Sequence, residues 1–180
     1  TKLVDTPANI SVVDAQTIEE RHYQDVSEVL KDVPGANVMD AGTGAYENVI
    51  SLNGDTRVLV LVDGKRVGFA SGTSTGAASY DMNLLPDVNL IERVEVLKGA
   101  GGALYGSDAV GGVVNIITKK ADRSFGKISV TSGSQDTKDL NAIYSVKEGK
   151  TGFTISASKN KQGYYKFKDV VSGKNLRWPG

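Results

Sequence analysis

One short motif carries a residue type that could act as a nucleophile. Residues 72–76, Gly-Thr-Ser-Thr-Gly, have the spacing of the nucleophile elbow of serine hydrolases, which needs a strand before the serine, a helix after it and a histidine to activate it. The single histidine, His22, lies upstream, and residues 77–81 have no convincing helical pattern. The motif therefore does not predict a hydrolase.

Two glycine patterns near residue 100 could cradle a phosphate. Residues 99–101, Gly-Ala-Gly, follow a predicted strand as a dinucleotide fingerprint would, but Leu104 stands at the third glycine position. Residues 101–106 have phosphate-loop spacing, yet Ser107-Asp108 replaces Lys-Ser/Thr, and the aspartate would repel a phosphate. We expect the protein to be no enzyme and to hold no cofactor.

The sequence also gives little indication of a metal site. His22 alone cannot build a metal or haem site, and the carboxylates Asp40, Asp55 and Asp81 do not have the spacing of a calcium loop. The sequence has no cysteine, which excludes disulfides and thiolate ligands. No metal site is expected.

Charge divides the chain into two parts. Residues 1–118 hold 8 Lys+Arg and 16 Asp+Glu, whereas residues 119–180 hold 13 and 5. This change predicts a boundary near residues 119–120. The lysines of the basic part are scattered and no recognition helix accompanies them, so we expect no nucleic-acid binding. No run approaches the roughly 18 apolar residues of a membrane-spanning helix.

The elements that must position any site begin with a strand and two helices. Residues 10–13 predict a strand, and Asp14 can cap a helix that runs to about Tyr23. Asp25 and Glu28 have capping-box spacing for a second helix, which Pro34-Gly35 ends.

Further strands are predicted from apolar runs. Residues 58–62 are continuously apolar, which favours a strand at the centre of a sheet, and Asp63-Gly64 predicts a tight hairpin. Residues 68–83 predict a long exposed loop. Other strands are expected at residues 37–40, 49–53, 91–98 and 112–118.

Charged residues occupy both faces of the strand at residues 91–98. Alternation places Arg93 and Glu95 on one face with Ile91 and Leu97, and Glu92 and Lys98 on the other. Charges against a core are costly unless they are paired. Either these groups pair internally, or one face looks into a polar cavity.

Beyond residue 125 the pattern becomes simple alternation, in which apolar residues are spaced by two over three stretches ending near residue 157. Such stretches, joined by hairpins near residues 135–136 and 148–149, are typical of a transmembrane barrel wall. They are equally typical of a small soluble meander. Three strands alone would leave open edges, so we expect the chain to be a fragment of a longer receptor if the barrel interpretation holds.

Five ordered blocks of the sequence resemble the plug domains of TonB-dependent receptors, over about residues 6–120. They are TPANISVVD (6–14), DVSEVLKDVPG (25–35), RVLVLVDGKR (57–66), IERVEVLKG (91–99) and ALYGSDAVGGVVNIIT (103–118). At three places this sequence departs from the family's usual residues. Asn53-Gly54 occupies a position where these plugs commonly have Arg-Gly, Lys98 replaces a usual Arg, and Ala100 replaces a usual Pro. The change at Lys98 keeps the charge but loses the planar fork of arginine.

The resemblance implies an α+β fold. Residues 1–122 would form the plug domain, with a small mixed β-sheet and short helices. Residues 123–180 would form the first antiparallel strands of the receptor's outer-membrane β-barrel.

The resemblance also implies a function and partners. The protein would be a bacterial outer-membrane receptor whose plug gates energy-dependent uptake of a scarce nutrient of the ferric siderophore, haem or cobalamin class. Its partners would be TonB, acting on a segment upstream of Thr1, the receptor's own β-barrel, the outer membrane, and a small ligand such as a metal chelate. The alternative is a soluble periplasmic or surface interaction module that keeps the plug fold without transport.

Two sets of candidate site residues follow from this resemblance. Loops facing outward would offer ligand contacts from Tyr46, Phe69, Ser71, Thr73, Ser74 and Tyr80. Polar contacts inside the sheet or to the barrel lumen would come from Arg57, Asp63, Arg66, Glu92, Arg93, Glu95 and Lys98.

Overall fold

The computed structural model divides the chain into two units, Thr1–Lys119 and Lys120–Gly180. The structure describes residues 9–40, 47–67, 79–81, 84–99, 105, 109–133, 138–161, 164–168 and 175–179. The division falls within the stretch where the charge balance changes sign.

The first unit is an α+β fold, as predicted. Its described elements are β1 (Ile10–Asp14), α1 (Ala15–Glu20), α2 (Val26–Lys31), β2 (Ala36–Asp40), β3 (Glu47–Leu52), β4 (Val58–Val62), β5 (Lys65–Arg66), β6 (Ser79–Asp81), a 3₁₀ turn (Val88–Leu90), β7 (Ile91–Lys98) and β8 (Gly112–Thr118). A mixed five-stranded sheet has the order β1-β7-β8-β4-β5, and a second sheet has the order β2-β3-β6.

Side-chain caps fix the start of both helices. The Asp14 carboxylate accepts a hydrogen bond from the Thr17 amide at 2.8 Å, and Asp25 accepts one from the Glu28 amide at 3.0 Å. Helix α1 ends at Glu20, earlier than predicted, because His22 takes a left-handed backbone conformation with φ of 54°.

The centre of the main sheet is β8, and the prediction that residues 58–62 would hold this place is wrong. Strand β8 lies between β7, to which it is antiparallel, and β4, to which it is parallel. Strand β4 has only the two-residue β5 beyond it. The apolar run of β4 reflects burial on both faces, which a strand next to the centre also requires.

Alternate residues of β4 and β8 pack into separate apolar clusters. Val58 and Val60 lie in the larger cluster with residues of the two helices, whereas Leu59 and Leu61 lie in a smaller one. Residues 68–83 were predicted to be a loop throughout, but residues 79–81 form β6, paired with β3.

Strand β7 carries an irregularity that alters the predicted faces. Its register against β8 shifts between Ile91 and Arg93. Ile91 consequently packs in the larger apolar cluster with Val94 and Val96, and Leu97 packs in the smaller one. The prediction that Ile91 shares a face with Arg93 is wrong, because such an irregularity breaks strict alternation.

The second unit consists of antiparallel strands. A three-stranded sheet of order β11-β10-β9 contains β9 (Phe125–Ser132), β10 (Lys138–Glu148) and β11 (Thr151–Lys161). A separate hairpin pairs β12 (Tyr164–Lys168) with β13 (Asn175–Pro179), which the sequence analysis did not predict. Within the described ranges, neither unit contains a helix long and apolar enough to cross a membrane.

The three-stranded sheet exposes most of its large apolar side chains, although Ile143 is buried. Ile128 and Val130 are 76% and 75% exposed, whereas Asn141 and Ser145 are buried. Residues of the two kinds alternate along the strands, so they belong to opposite faces. This pattern is the reverse of the one that a water-soluble sheet adopts.

Candidate functional site

Glu95 is a buried carboxylate in the middle of β7, with its side chain 1% exposed. Arg93 donates from Nε to one of its oxygens at 2.8 Å, and Asn115 donates from Nδ2 to the other at 3.2 Å. Asn115 lies directly opposite Glu95 in the β7–β8 pair, so the register of the sheet brings them together. Both carboxylate oxygens therefore have the partner that a buried charge requires.

Two further hydrogen bonds extend this network beyond Arg93 and beyond Asn115. Arg93 also donates from Nη1 to the partly exposed carboxylate of Glu92. Asn115 accepts from the Gly64 amide through Oδ1 at 3.2 Å. We call Glu92, Arg93, Glu95, Asn115 and Gly64 the polar chain. It links β7 and β8 to the hairpin turn between β4 and β5.

A second contact fixes that hairpin turn. Asp63 and Gly64 have φ of 50° and 76°, the left-handed conformation predicted for a tight turn. The Asp63 amide donates to the Ile116 carbonyl at 2.9 Å. Its carboxylate accepts from the Thr118 amide at 2.9 Å and from the Thr118 hydroxyl at 2.7 Å. The turn is thus bound to the end of the central strand.

The remaining residues of the predicted polar set lie elsewhere. Arg57 forms a surface ion pair with Asp55, with Nη2 and Oδ2 2.5 Å apart. Lys98 donates from Nζ to the Pro34 carbonyl at 3.0 Å, which connects the end of β7 to the segment after α2. Arg66 is exposed on β5.

The ion pair between Asp55 and Arg57 shifts the pKa of both residues. The Arg57 guanidinium, followed by the Arg57 backbone amide, donates hydrogen bonds to Asp55 and lowers the pKa of that carboxyl from 3.8 to about 2. The same pairing raises the pKa of Arg57. Both groups are therefore charged over the physiological pH range.

Sequence reasoning missed three of these partners: Asn115, Thr118 and Asp55. Asn115 had a detectable signal, because it is the one polar residue within the apolar run at residues 113–117. Asp55 lies in the turn between β3 and β4 and Thr118 at the end of β8, where an isolated polar residue is ordinary and gives no such signal.

The structure gives Tyr80 a core position. The side chain is 0% exposed, and its hydroxyl donates to the Val58 carbonyl at 2.5 Å. Its expected role as an outward-facing ligand contact is therefore incompatible with this conformation. The other five predicted ligand contacts, Tyr46, Phe69, Ser71, Thr73 and Ser74, lie outside the described residues. The motif at residues 72–76 also lies outside them, as do the glycine patterns at residues 99–101 and 101–106 apart from Gly99 and Tyr105.

The polar chain is suited to holding neighbouring strands together. Its members are two carboxylates, a guanidinium, an amide side chain and a backbone amide, with no thiol, hydroxyl or imidazole among them. Such a network fixes the arrangement of strands as long as every member keeps its partner.

The fold and this site define a plug-like unit, and comparison with known proteins identifies its family. The model of the TonB-dependent Receptor Plug Domain matches residues 2–113. The chain belongs to this family.

Individual relatives share a large part of the chain. It is 40% identical over 142 residues to the vitamin B12 transporter BtuB of Vibrio vulnificus, a match covering 77% of the chain. It is 37% identical over 134 residues to the iron-regulated outer membrane virulence protein of Vibrio cholerae, covering 73%. The matches cover 22% and 20% of these curated relatives, so the chain spans about a fifth of their length.

Solved structures agree with this assignment. FpvA of Pseudomonas aeruginosa, bound to a heterologous pyoverdine, aligns with a TM-score of 0.73 and 26% identity, over 88% of the chain and 21% of FpvA. The ferric enterobactin receptor PfeA of the same organism aligns with a TM-score of 0.66 and 25% identity, over 94% of the chain and 26% of PfeA. By name, BtuB is a transporter and PfeA is a receptor.

Proposed function

We propose that this chain is the plug and the first wall strands of a TonB-dependent outer-membrane receptor that imports a metal chelate. The observation that carries the proposal is the reversed sheet β9–β11, which follows a unit of the plug family. Large apolar side chains are exposed on one face of this sheet, and Asn141 and Ser145 are buried on the other, together with Ile143. Lipid-facing and lumen-facing residues alternate in this way along the strands of outer-membrane barrels.

The energetics favour a membrane over water for this sheet. Six large apolar side chains have at least 48% of their surface exposed: Ile128, Val130, Leu140, Tyr144, Phe153 and Ile155. A contiguous apolar patch of this kind is an aggregation hazard in water and is stable against lipid. This argues against the soluble interaction module.

The proposed substrate class follows from the relatives. BtuB is named for vitamin B12, and FpvA and PfeA are described with pyoverdines and enterobactin. We infer that the ligand is a metal chelate of the ferric siderophore, haem or cobalamin class. Ligand contacts are proposed for Tyr46, Phe69, Ser71, Thr73 and Ser74, and no covalent chemistry is required.

The proposed gate begins at β1. This is the first strand among the described residues, and it lies at the edge of the main sheet, paired with β7 over five residues. The other side of β7 is fastened to β8 and the hairpin turn by the polar chain. A pull by TonB on a segment upstream of Thr1 would therefore remove β1 before it disturbs β7 and β8.

Binding titrations of the intact receptor test the proposed substrate class. Separate titrations with ferric siderophores, haem and cobalamin should show saturable binding of one class, and the variant Phe69→Ala should weaken it. If none of the three classes binds, the proposed substrate class is wrong.

A further inference from the structure

Asp139 on β10 carries a carboxylate that has no counter-charge. Both of its oxygens are buried, although the side chain as a whole is only partly buried, and among the described residues neither oxygen has a hydrogen-bond partner. Alternation along β10 places Asp139 on the same face as Asn141 and Ser145, which are buried polar residues. An ionised carboxylate in such a position needs a cation or hydrogen-bond donors, because burial of an unpaired charge is costly.

The sheet β9–β11 does not supply the missing cation. The residues directly opposite Asp139 are Thr131 on β9 and Asn160 on β11, and neither is charged. Lys127, the nearest basic residue on this face of the three strands, is four residues from Thr131 along β9. This separation is about 14 Å at roughly 3.4 Å per residue. Lys138, the neighbour in sequence, lies on the opposite face.

The free edge of β9 indicates where a partner would come from. Within the described part of the chain, β9 is an edge strand, with β10 on its one paired side. Barrel walls in the outer membrane are closed, so in the proposed receptor a further strand pairs with β9. That strand would lie about 10 Å from β10, at roughly 4.8 Å per strand. Thr131, the residue between them on this row, is short and exposed, which leaves room for a long side chain to cross to Asp139.

A metal ion fits this position less well than a basic side chain. Calcium takes several oxygen ligands at once. The described residues contain no group of three or more His, Cys, Asp or Glu side chains that could hold an ion. A guanidinium or ammonium group, in contrast, forms a strong charge-assisted hydrogen bond with a single carboxylate.

We propose that Asp139 forms a buried ion pair with an arginine or lysine of the strand that pairs with β9 and closes the barrel. The pair fixes the register of that strand, because a slip by one residue turns the basic side chain to the lipid-facing side. The inference rests on the proposed function, since it requires β9–β11 to be part of a barrel wall. It does not depend on which nutrient is imported.

Thermal unfolding of the intact receptor in detergent tests the ion pair through Asp139→Asn. This change keeps the size of the side chain and removes its charge. We expect the unfolding midpoint to fall by several degrees, because the basic partner is left buried without a counter-charge. Asp139→Glu keeps the charge and should lose less. Asp122→Asn, which neutralises an exposed carboxylate just before β9, is the matched control and should leave the midpoint unchanged.

A charge exchange locates the partner and remains informative if Asp139→Asn does not fold. Asp139→Arg is combined, one at a time, with a change to aspartate of each arginine or lysine on the strand that pairs with β9. One combination should recover most of the midpoint that Asp139→Arg alone loses. Recovery by none of them would overturn the proposal.

Two other outcomes would also overturn it. An unchanged or raised midpoint in Asp139→Asn would show that the carboxylate has no cationic partner, because removal of an unpaired buried charge relieves its cost. A midpoint that falls with EDTA and recovers with calcium in the unmodified receptor, but not in Asp139→Asn, would identify a metal ion as the partner. Fractionation with the outer membrane, measured separately, distinguishes failure of this inference from failure of the proposed function.

Discussion

Burial of the Glu95 carboxylate costs free energy, but its hydrogen bonds constrain how the neighbouring strands fit together. Its carboxylate is fully buried in β7, and it is tolerated because Arg93 and Asn115 satisfy both oxygens. A buried ion pair adds little net stability compared with a well-packed apolar pair, but removal of one partner is strongly destabilising. The polar chain therefore acts as a constraint on how β7, β8 and the hairpin turn fit together.

This account predicts the effect of Arg93→Met. The change leaves the Glu95 carboxylate buried without its cation, so we expect the free energy of unfolding to fall by roughly 2–3 kcal/mol. Denaturant unfolding of the intact chain measures it. Lys65→Met, on the exposed strand β5, is the control and should change stability by less than about 0.5 kcal/mol. Equal effects of the two changes would refute the role given to Arg93.

The Asp55–Arg57 pair makes a prediction about pH. The pKa of Asp55 is lowered from 3.8 to about 2 in the folded protein. Stabilisation by a group with a lowered pKa is complete above the unfolded value and is lost as the pH falls through about 2. Arg57→Gln should raise the pKa of Asp55 towards its ordinary value, as measured by NMR titration of the carboxyl carbon. Arg66→Gln should leave it unchanged, and a similar rise in both variants would contradict the pairing.

At the scale of elements, β8 depends on a glycine at its first position. Gly112 has φ of 142°, and a Cβ there would collide with the Leu97 carbonyl oxygen and lie 2.7 Å from Leu52 Cδ1. Gly112→Ala should therefore destabilise the protein by at least about 2 kcal/mol.

The control for this glycine lies in the other unit. At Gly126 the nearest atom to an added Cβ is Tyr144 Cδ2, at an ordinary 3.8 Å. Thermal unfolding should show a large loss of stability for Gly112→Ala and almost none for Gly126→Ala. A fully stable Gly112→Ala protein would mean that β7 and β8 are not packed as described.

Strand β1 gives a test of the proposed gate. Ser11 and Val96 are direct partners across the β1–β7 pair, and opposed residues lie within the Cα separation that a disulfide spans. In the intact receptor, the oxidised variant Ser11→Cys/Val96→Cys should bind ligand normally but fail to transport it, and reduction should restore transport. The 180 residues of this chain contain no native cysteine that could compete for the disulfide.

The matched disulfide joins Val62→Cys to Lys65→Cys across the β4–β5 hairpin. It leaves β1 free, so transport should continue under oxidising conditions. Transport that persists with β1 locked to β7 would show that β1 does not have to separate.

Much of the fold was visible in the sequence because local signals are strong. The helix caps Asp14 and Asp25, the turn at Asp63-Gly64 and the alternation after residue 125 each specify one element. The strand order was not visible, because pairing β8 between β7 and β4 depends on contacts far apart in sequence. For the same reason the burial of Tyr80 and the role of Asn115 became clear only when the strands were paired.

At the scale of the whole molecule, the two units differ in where they place their apolar side chains. The first buries its apolar residues in two clusters on either side of a mixed sheet. The second exposes most of its large apolar side chains and buries the polar Asn141 and Ser145. A single chain that combines both patterns is suited to two environments, one aqueous and one lipid.

The most direct test of the account is energised uptake by the intact receptor. Bacteria that lack their own uptake route for the bound metal chelate would express the receptor, in matched strains with and without TonB, and accumulation of labelled ligand would be measured. We predict uptake well above background with TonB and binding without accumulation in its absence. Equal accumulation in the two strains, or recovery of the native protein from the soluble periplasmic fraction, would contradict the account.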